Sequence, residues 1–437
     1  MNPVVTGLRC AVCGATRGID VPFTWKCPNH TQEQPHLLRF ERTIAPLRAV
    51  DDPNPFVAFR RYLAWDAFAA SHGLSDEARV QTIRDLDHAV GEVDGTGFRW
   101  TPFARADALS DALGFDERGG VWVKNDTGNV AGSHKARHLF TIALHLLSAE
   151  QCDLAPWRSA ADRPHLAIAS CGNAALAAST LAAAMRWPIS VFVPQWANES
   201  VVARLDQLGA TVVRCPRRDT DPPGDPCVLR FREAVAGGAI PFAVQGPENA
   251  WCHDGGRTIG WELALQFEQA QVDRGMAPML DRLFVQVGGG ALASCAWSGA
   301  SDQGNVPRLH AVQAEGCAPL ARAWQRARTL PGGVATAASH WRECMWPWES
   351  EPVSIADGIL DDETYDWLPI VQAMGVSNGS AVVAPEALVH EAHQLVRSTT
   401  GIHASPTATA GLAGLLAVRS EIANDENVAV LVTGVAR

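Results

Sequence analysis

One lysine, Lys135, stands just after Gly132-Ser133, where a short apolar strand gives way to a helix through a loop rich in Gly and Asn (Val121–Phe140). Ser133 is a candidate N-cap, since its hydroxyl can accept from the orphan N–H groups of the first turn. A lysine at that end opposes the positive pole of the helix dipole, at a cost of a few tenths to about 1 kcal/mol. The same placement favours the neutral amine, which is what a Schiff-base nucleophile requires. A solvated helix lysine is the plain alternative, so the other chemistry-bearing stretches must decide.

The run Gln286-Val-Gly-Gly-Gly-Ala-Leu-Ala-Ser294 opens a strand through glycines into a helix. Backbone N–H groups of Gly288, Gly289, Gly290, Ala291 and Leu292 then make an anion site suited to a phosphate. The same run fits a dinucleotide fingerprint at Gly288, Gly290 and Ala293, with Glu315 at the end of the next strand, so a NAD-dependent oxidoreductase is a rival reading. Ser170-Cys171-Gly172-Asn173-Ala174 lies at a second strand-to-helix turn and could hold a carboxylate or a phenolate oxygen; Asn173 as a plain N-cap competes with that. Thr433, at the end of the strand Leu431-Val-Thr433, could bond a ring nitrogen. Near the N-terminus, Cys10-x2-Cys13 and Cys27-x2-His30 have the spacing of a tetrahedral Zn²⁺ site.

These residues need a frame. The chain of 437 residues is 47% hydrophobic and 19% charged, enough for two α/β domains and a small appendage. A net charge of −11 argues against nucleic acid or an anionic membrane as partner. There is no charge-free apolar run of about 18 residues, so no transmembrane helix is expected. No secretory h-region opens the sequence, and 11 scattered cysteines suit a reduced, cytoplasmic setting. Near-continuous apolar strands at 165–170, 189–194, 211–215 and 239–244 alternate with helices at 174–185, 198–208 and 228–236, which predicts a parallel sheet covered on both faces. A second series has strands at 282–287, 308–313 and 427–432, with helices at 257–270, 291 onward, 319–328, 385–398 and 406–417. Helices are also expected over 56–72 and 75–87. Residues 31–55 read as a surface linker and 331–362 as irregular. The fold class is α/β, with two doubly wound sheets and a small N-terminal Cys/His knuckle. The boundaries are 1–35 for the knuckle, 36–135 with 246–437 for a large domain, and 136–245 for a smaller α/β domain.

A lysine at a helix start, an Asn/Ser turn, a glycine cradle and a strand-end hydroxyl, in this order over about 100–437, resemble the fold-type II pyridoxal-phosphate enzymes of the tryptophan synthase β superfamily. The threonine synthases and the serine/threonine ammonia-lyases are the most similar branches. The resemblance implies pyridoxal 5'-phosphate held as a Schiff base on Lys135, which also moves the Cα proton. It implies Asn173 at the cofactor's 3′-oxygen, Gly288–Leu292 around its phosphate and Thr433 at its pyridine nitrogen. Ser170, Cys171, Gly172, Asn173 and Ala174 would clasp the substrate carboxylate. Asn249 and Gly255-Gly-Arg-Thr258 match a family segment packed near the site, and Ser354–Gly358 matches an ammonia-lyase loop.

The branch markers divide. Ala136 after the lysine and the 354–358 loop are ammonia-lyase-like, the Cys/His knuckle is threonine-synthase-like, and His134 resembles the tryptophan synthases. A hydroxyl rather than a carboxylate at the ring nitrogen leaves the pyridine neutral, which favours prompt loss of a β or γ substituent over transamination. The expectation is therefore β-elimination on a small hydroxy- or O-activated amino acid, with β/γ-replacement second. A non-catalytic binding protein on the same fold is a third class. A homodimer is expected, with the small amino acid as the only other partner.

Overall fold

The computed structural model describes residues 4–43 and 46–437. The chain forms two compact units, one comprising Met1–Arg99, Asn129–Ala131 and Lys135–Gly255, the other Trp100–Gly128, Gly132–His134 and Gly256–Arg437. This differs from the boundaries read from sequence. Residues 36–99 belong with the lysine helix rather than with the glycine cradle, and the knuckle does not end at 35. The knuckle extends because β1 (Val5–Cys10) is antiparallel both to β2 (Thr16–Gly18) and to β3 (Leu38–Arg42), and the helices Ala64–Ser71 and Asp76–Asp94 join the unit by packing on the lysine helix. A strand thus runs through the stretch expected to be linker.

The rest of the first unit carries a four-stranded parallel sheet, β8-β7-β6-β9, from β6 (Leu166–Ala169), β7 (Ile189–Val193), β8 (Thr211–Arg214) and β9 (Ile240–Pro241). β9 is shorter than its apolar run suggests, because Pro241 has no N–H to continue a ladder. The helices Asn173–Met185, Glu199–Gln207 and Pro226–Ala236 alternate with these strands. The helix expected over 56–72 is broken into Pro55–Ala58, a 3₁₀ turn at Arg60–Tyr62, and Ala64–Ser71.

The second unit holds a six-stranded sheet, β12-β11-β10-β13-β5-β4, from β4 (Phe103–Arg105), β5 (Gly120–Asn125), β10 (Arg282–Gln286), β11 (Arg308–Ala314), β12 (Ser380–Ala384) and β13 (Asn427–Val432). Only β4 runs antiparallel. β10 and β13 are buried at every residue, as strands covered on both faces must be. The chain proceeds from β10 to β11 and β12 on one side, while β13 and β5 lie on the other. β10 and β13 therefore flank the point where strand order reverses, the place where open α/β sheets bind ligands beyond their carboxyl ends. Helix Trp367–Ser377 and edge strand β12 were not foreseen from sequence.

The many tryptophans are largely core. Trp65, Trp122, Trp251 and Trp261 are fully buried. Their indole N–H groups donate to Ser148 Oγ, Asn427 Oδ1, Thr24 O and Asp302 Oδ2, as buried indoles require. Among the described residues no helix is long and apolar enough to cross a membrane.

In the N-terminal sheet His30 does not join the three thiols. The turn after Cys27 closes with His30 N–H on the Cys27 carbonyl (3.0 Å), and the His30 ring then takes the backbone N–H of His36 at Nδ1 (3.1 Å). His36, on the approach to β3, occupies the fourth position instead, with Nδ1 3.4 Å from Sγ of both Cys10 and Cys27.

Candidate active site

In the second unit, β10 ends at Gln286 and the chain turns through Gly288–Gly290 into the helix Ala291–Ser301. Gly290 sits at φ +101, and a Cβ there would press on Ile370 Cδ1 at 2.9 Å and Thr364 Cγ2 at 3.0 Å. A Cβ on Gly288 would run into Asp361 Oδ2 and lie 2.9 Å from Ile359 Cα. The Asp366 N–H donates to Gly289 O (2.8 Å), so the segment from Ile359 to Ile370 fixes the glycine loop from behind. Its N-cap residue, Gly290, has no side chain to spend on the first turn. The first N–H groups of a helix lack intrahelical acceptors, so the Gly288–Leu292 stretch presents amide donors at the positive end of a dipole. That is the donor set a phosphate group requires, so the loop fits the cofactor that the sequence implies.

Thr433 follows β13, the strand next to β10, and is buried. Gln286 Nε2 donates to Thr433 Oγ1 at 2.8 Å and faces two carbonyls, Ala408 O (2.9 Å) and Leu431 O (3.2 Å). Carbonyls only accept, so the amide's NH₂ end is assigned to that side and Thr433 Oγ1 is the acceptor. The hydroxyl keeps its own proton to donate. A pyridine nitrogen meeting it would be hydrogen-bonded and unprotonated. The role of Gln286 is not evident from local sequence; its one signal there is a polar residue closing an otherwise apolar strand.

The strand end of Thr433 is also stitched to the segment leading into the lysine. His134 N–H donates to Thr433 O (3.1 Å), and Ser133 forms an isolated bridge with Gly434. Lys135 is the next residue and opens the helix Lys135–Gln151. Ser133, expected as N-cap, lies two residues before the helix in that bridge. Lys135 is half-buried.

The chain has only three lysines. Lys124, in the middle of β5, is fully buried against Glu262 (2.6 Å), Thr101 O (2.7 Å) and Gln266 Oε1 (2.9 Å). Lys26 pairs with Glu248. Those two are held in ion pairs within their own units, whereas Lys135 stands at a helix start, and it is the candidate nucleophile.

In the first unit, Ser170 follows β6, and its Oγ accepts the N–H of Gly172 (3.3 Å). Gly172, not Asn173, takes the N-cap position of the helix Asn173–Met185 and provides no side-chain acceptor. Asn173 is therefore not the plain N-cap it could have been. Ser170, Cys171, Gly172 and Asn173 are half-buried and Ala174 is buried. Asn249 is structural: its amide donates to Pro241 O (2.6 Å) and its Oδ1 takes Trp251 N–H (3.0 Å). Gly255 lies against the lysine helix, where a Cβ would strike Arg137 O, and its N–H donates to Thr141 Oγ1 (2.9 Å). In the second unit, Ser354 Oγ donates to Glu386 Oε2 (2.7 Å) and Gly358 N–H donates to Thr407 Oγ1 (2.9 Å), which anchors that loop near the glycine cradle. Glu315, the acid a dinucleotide reading needs, accepts the Glu386 N–H at Oε1 (2.8 Å) and so caps a helix.

Solved structures with the same fold include maize serine racemase (16% identity, TM-score 0.58, 81% of this chain and 92% of that one). Others are the processed form of threonine deaminase isoform 2 from Solanum lycopersicum (16%, TM-score 0.57, 90% and 95%) and the diaminopropionate ammonia lyase of Escherichia coli (15%, TM-score 0.58, 83% and 89%). No curated protein sequence matches the chain. Residues 95–434 match the family described as pyridoxal-phosphate dependent enzyme. With the lysine, glycine cradle and strand-end threonine all inside that span, this chain belongs to the pyridoxal-phosphate dependent enzymes.

Proposed function

We propose that the chain is a lyase that eliminates the β substituent of a small hydroxy- or O-activated amino acid, releasing a 2-oxo acid and ammonia. The carrying observation is the hydroxyl of Thr433, held by Gln286 with its proton free to donate, at a strand end pinned to His134 directly before Lys135. Bound pyridoxal phosphate supplies the electron sink. In this reading the amides of Gly288–Leu292 hold its phosphate and Thr433 donates to its ring nitrogen. Lys135 Nζ would carry the cofactor and would be the base that takes the Cα proton of the bound amino acid. The turn Ser170–Ala174 provides the N–H donors for the substrate carboxylate. A neutral ring stabilises negative charge at Cα weakly, so the electron pair is better spent expelling the β substituent than held there. The ammonia-lyase and deaminase names among the structural neighbours agree with elimination.

Lys135→Ala should lose covalent cofactor and slow turnover by a factor on the order of 10³ or more, since a positioned base alone contributes roughly 10²–10⁴. Borohydride reduction followed by peptide mass mapping reads the first effect without any assay of activity. Label on Lys26 or Lys124 would overturn the assignment. A panel of hydroxy amino acids tests the reaction. Release of 2-oxo acid supports elimination, whereas phosphate release from O-phosphohomoserine without 2-oxo acid would replace it by γ-replacement.

A further inference from the structure

We propose that Cys10, Cys13, Cys27 and His36 bind one Zn²⁺ that fastens the N-terminal sheet to the back of the lysine helix. The four ligand atoms all lie within 4.8 Å of one another. Cys13 Sγ is 3.6 Å from Cys27 Sγ, and His36 Nδ1 is 3.4 Å from the sulfurs of Cys10 and Cys27. A tetrahedron with Zn–S of about 2.3 Å and Zn–N of about 2.0 Å places its vertices roughly 3.5–3.8 Å apart, so little rearrangement is needed. A disulfide needs S–S near 2.05 Å, and all of these thiols are free. Three soft sulfurs and one imidazole in a closed site select Zn²⁺ among common divalent ions.

The surroundings suit thiolates. The N–H groups of Val12 and Cys13 each point at Cys10 Sγ (3.4 Å), and Asn29 Nδ2 points at Cys13 Sγ (3.3 Å). On binding, the three thiols release their protons to solvent, and the site carries a formal charge of −1 that these donors offset.

The consequence lies two to four residues before Cys27. Phe23 N–H donates to His145 Nε2 (3.1 Å), and the Trp25 ring meets the His145 ring edge-on at 5.1 Å. His145 is on the lysine helix. Burial among aromatic rings pushes its pKa down to about 3, so it is a neutral acceptor for that bond. Ala250 N–H on Trp25 O (2.9 Å) and Trp251 Nε1 on Thr24 O (3.1 Å) tie the same strip to the segment that supports the helix. A sheet with a three-residue edge strand buries too little to hold this strip unaided.

The test is metal content by inductively coupled plasma mass spectrometry on the purified full-length enzyme, with His36→Ala, His30→Ala and Cys13→Ser. Wild type should hold close to one zinc per chain, His30→Ala should retain it, and His36→Ala should fall by at least tenfold. Cys13 is exposed, so Cys13→Ser should fold and still lose the metal, even if His36→Ala proves insoluble. Removal of zinc with a chelator should lower Tm and restore it on zinc readdition. Zinc-free wild-type protein after growth with added zinc would overturn the proposal. So would zinc lost with His30→Ala but kept with His36→Ala, or a Tm indifferent to chelation.

Discussion

Three neighbouring strands of the larger sheet each deliver a helix beyond their carboxyl ends, and the three helix starts are treated differently. After β11, the helix Pro319–Thr329 receives Gln313 Oε1 on the N–H groups of Leu320 (2.8 Å) and Ala321 (3.2 Å). After β12, the helix Glu386–Thr400 receives Glu315 Oε1. Both acceptors come from the β11 strand or its end, not from the local N-cap. After β10, the helix Ala291–Ser301 begins at Gly290, a residue at φ +101 with no side chain to offer its first turn. Orphan amides at a helix start carry a cost that proteins normally cancel. Two of the three are cancelled from within the chain. The third sits where strand order reverses, next to Thr433. That contrast fits the proposed reading, in which the donors at Gly288–Leu292 serve the cofactor's phosphate.

The largest expected effect attacks the open start directly. Gly290→Ala forces a side chain into the left-handed region, at a cost of about 1–3 kcal/mol, and drives a methyl toward Ile370 and Thr364. Cofactor affinity, read by titrating apoenzyme and following the visible absorbance, should drop by tenfold or more. Affinity within twofold of wild type would mean that the glycine loop does not carry the phosphate. Next in size is Thr433→Val, which keeps the shape and removes the hydroxyl. The loss of one hydrogen bond, about 1 kcal/mol, should reduce kcat severalfold while cofactor binding falls less. An equal fall in both would place Thr433 among the cofactor's general contacts rather than at the ring nitrogen. A smaller effect is expected from inorganic phosphate. At tens of millimolar it should raise the Tm of the apoenzyme by a few degrees through mass action, and Gly290→Ala should abolish that rise.

Much of this arrangement was legible in the residues. The glycine run after Arg282–Gln286 and the Thr at the end of Asn427–Val432 sit at ends of strongly apolar strands, and the lysine opens a helix after a Gly-rich loop, where period and punctuation are clearest. What escaped depended on partners far away in sequence. Gln286 and Thr433 are 147 positions apart, and nothing local tells that one orients the other. The choice between His30 and His36 was missed because spacing favoured a C-x2-H pair, whereas the turn after Cys27 spends the His30 ring on the backbone of His36. Residues 36–99 group differently from the sequence reading because two non-local contacts intervene: β1 pairs with β3 across a proline-rich stretch that looked like linker, and the helices Ala64–Ser71 and Asp76–Asp94 pack on the lysine helix. Strand β12 was missed because it lies at an edge, where only part of its surface is buried and the apolar signal is weak.

The smallest effect separates the two readings of the glycine run most cleanly. In a dinucleotide enzyme, the acid at the end of the strand after the glycines binds a ribose, and its removal cripples cofactor recognition. Here Glu315 occupies that position but spends Oε1 on the Glu386 N–H. Glu315→Ala should therefore behave as the loss of a helix cap: about 0.5–1 kcal/mol of stability, seen as a modest fall in denaturation midpoint. Pyridoxal-phosphate absorbance, affinity and turnover should remain within twofold of wild type. A large loss of cofactor binding with stability intact would show that the carboxylate faces a ligand, and the difference between the closed helix start after β12 and the open one after β10 would no longer stand.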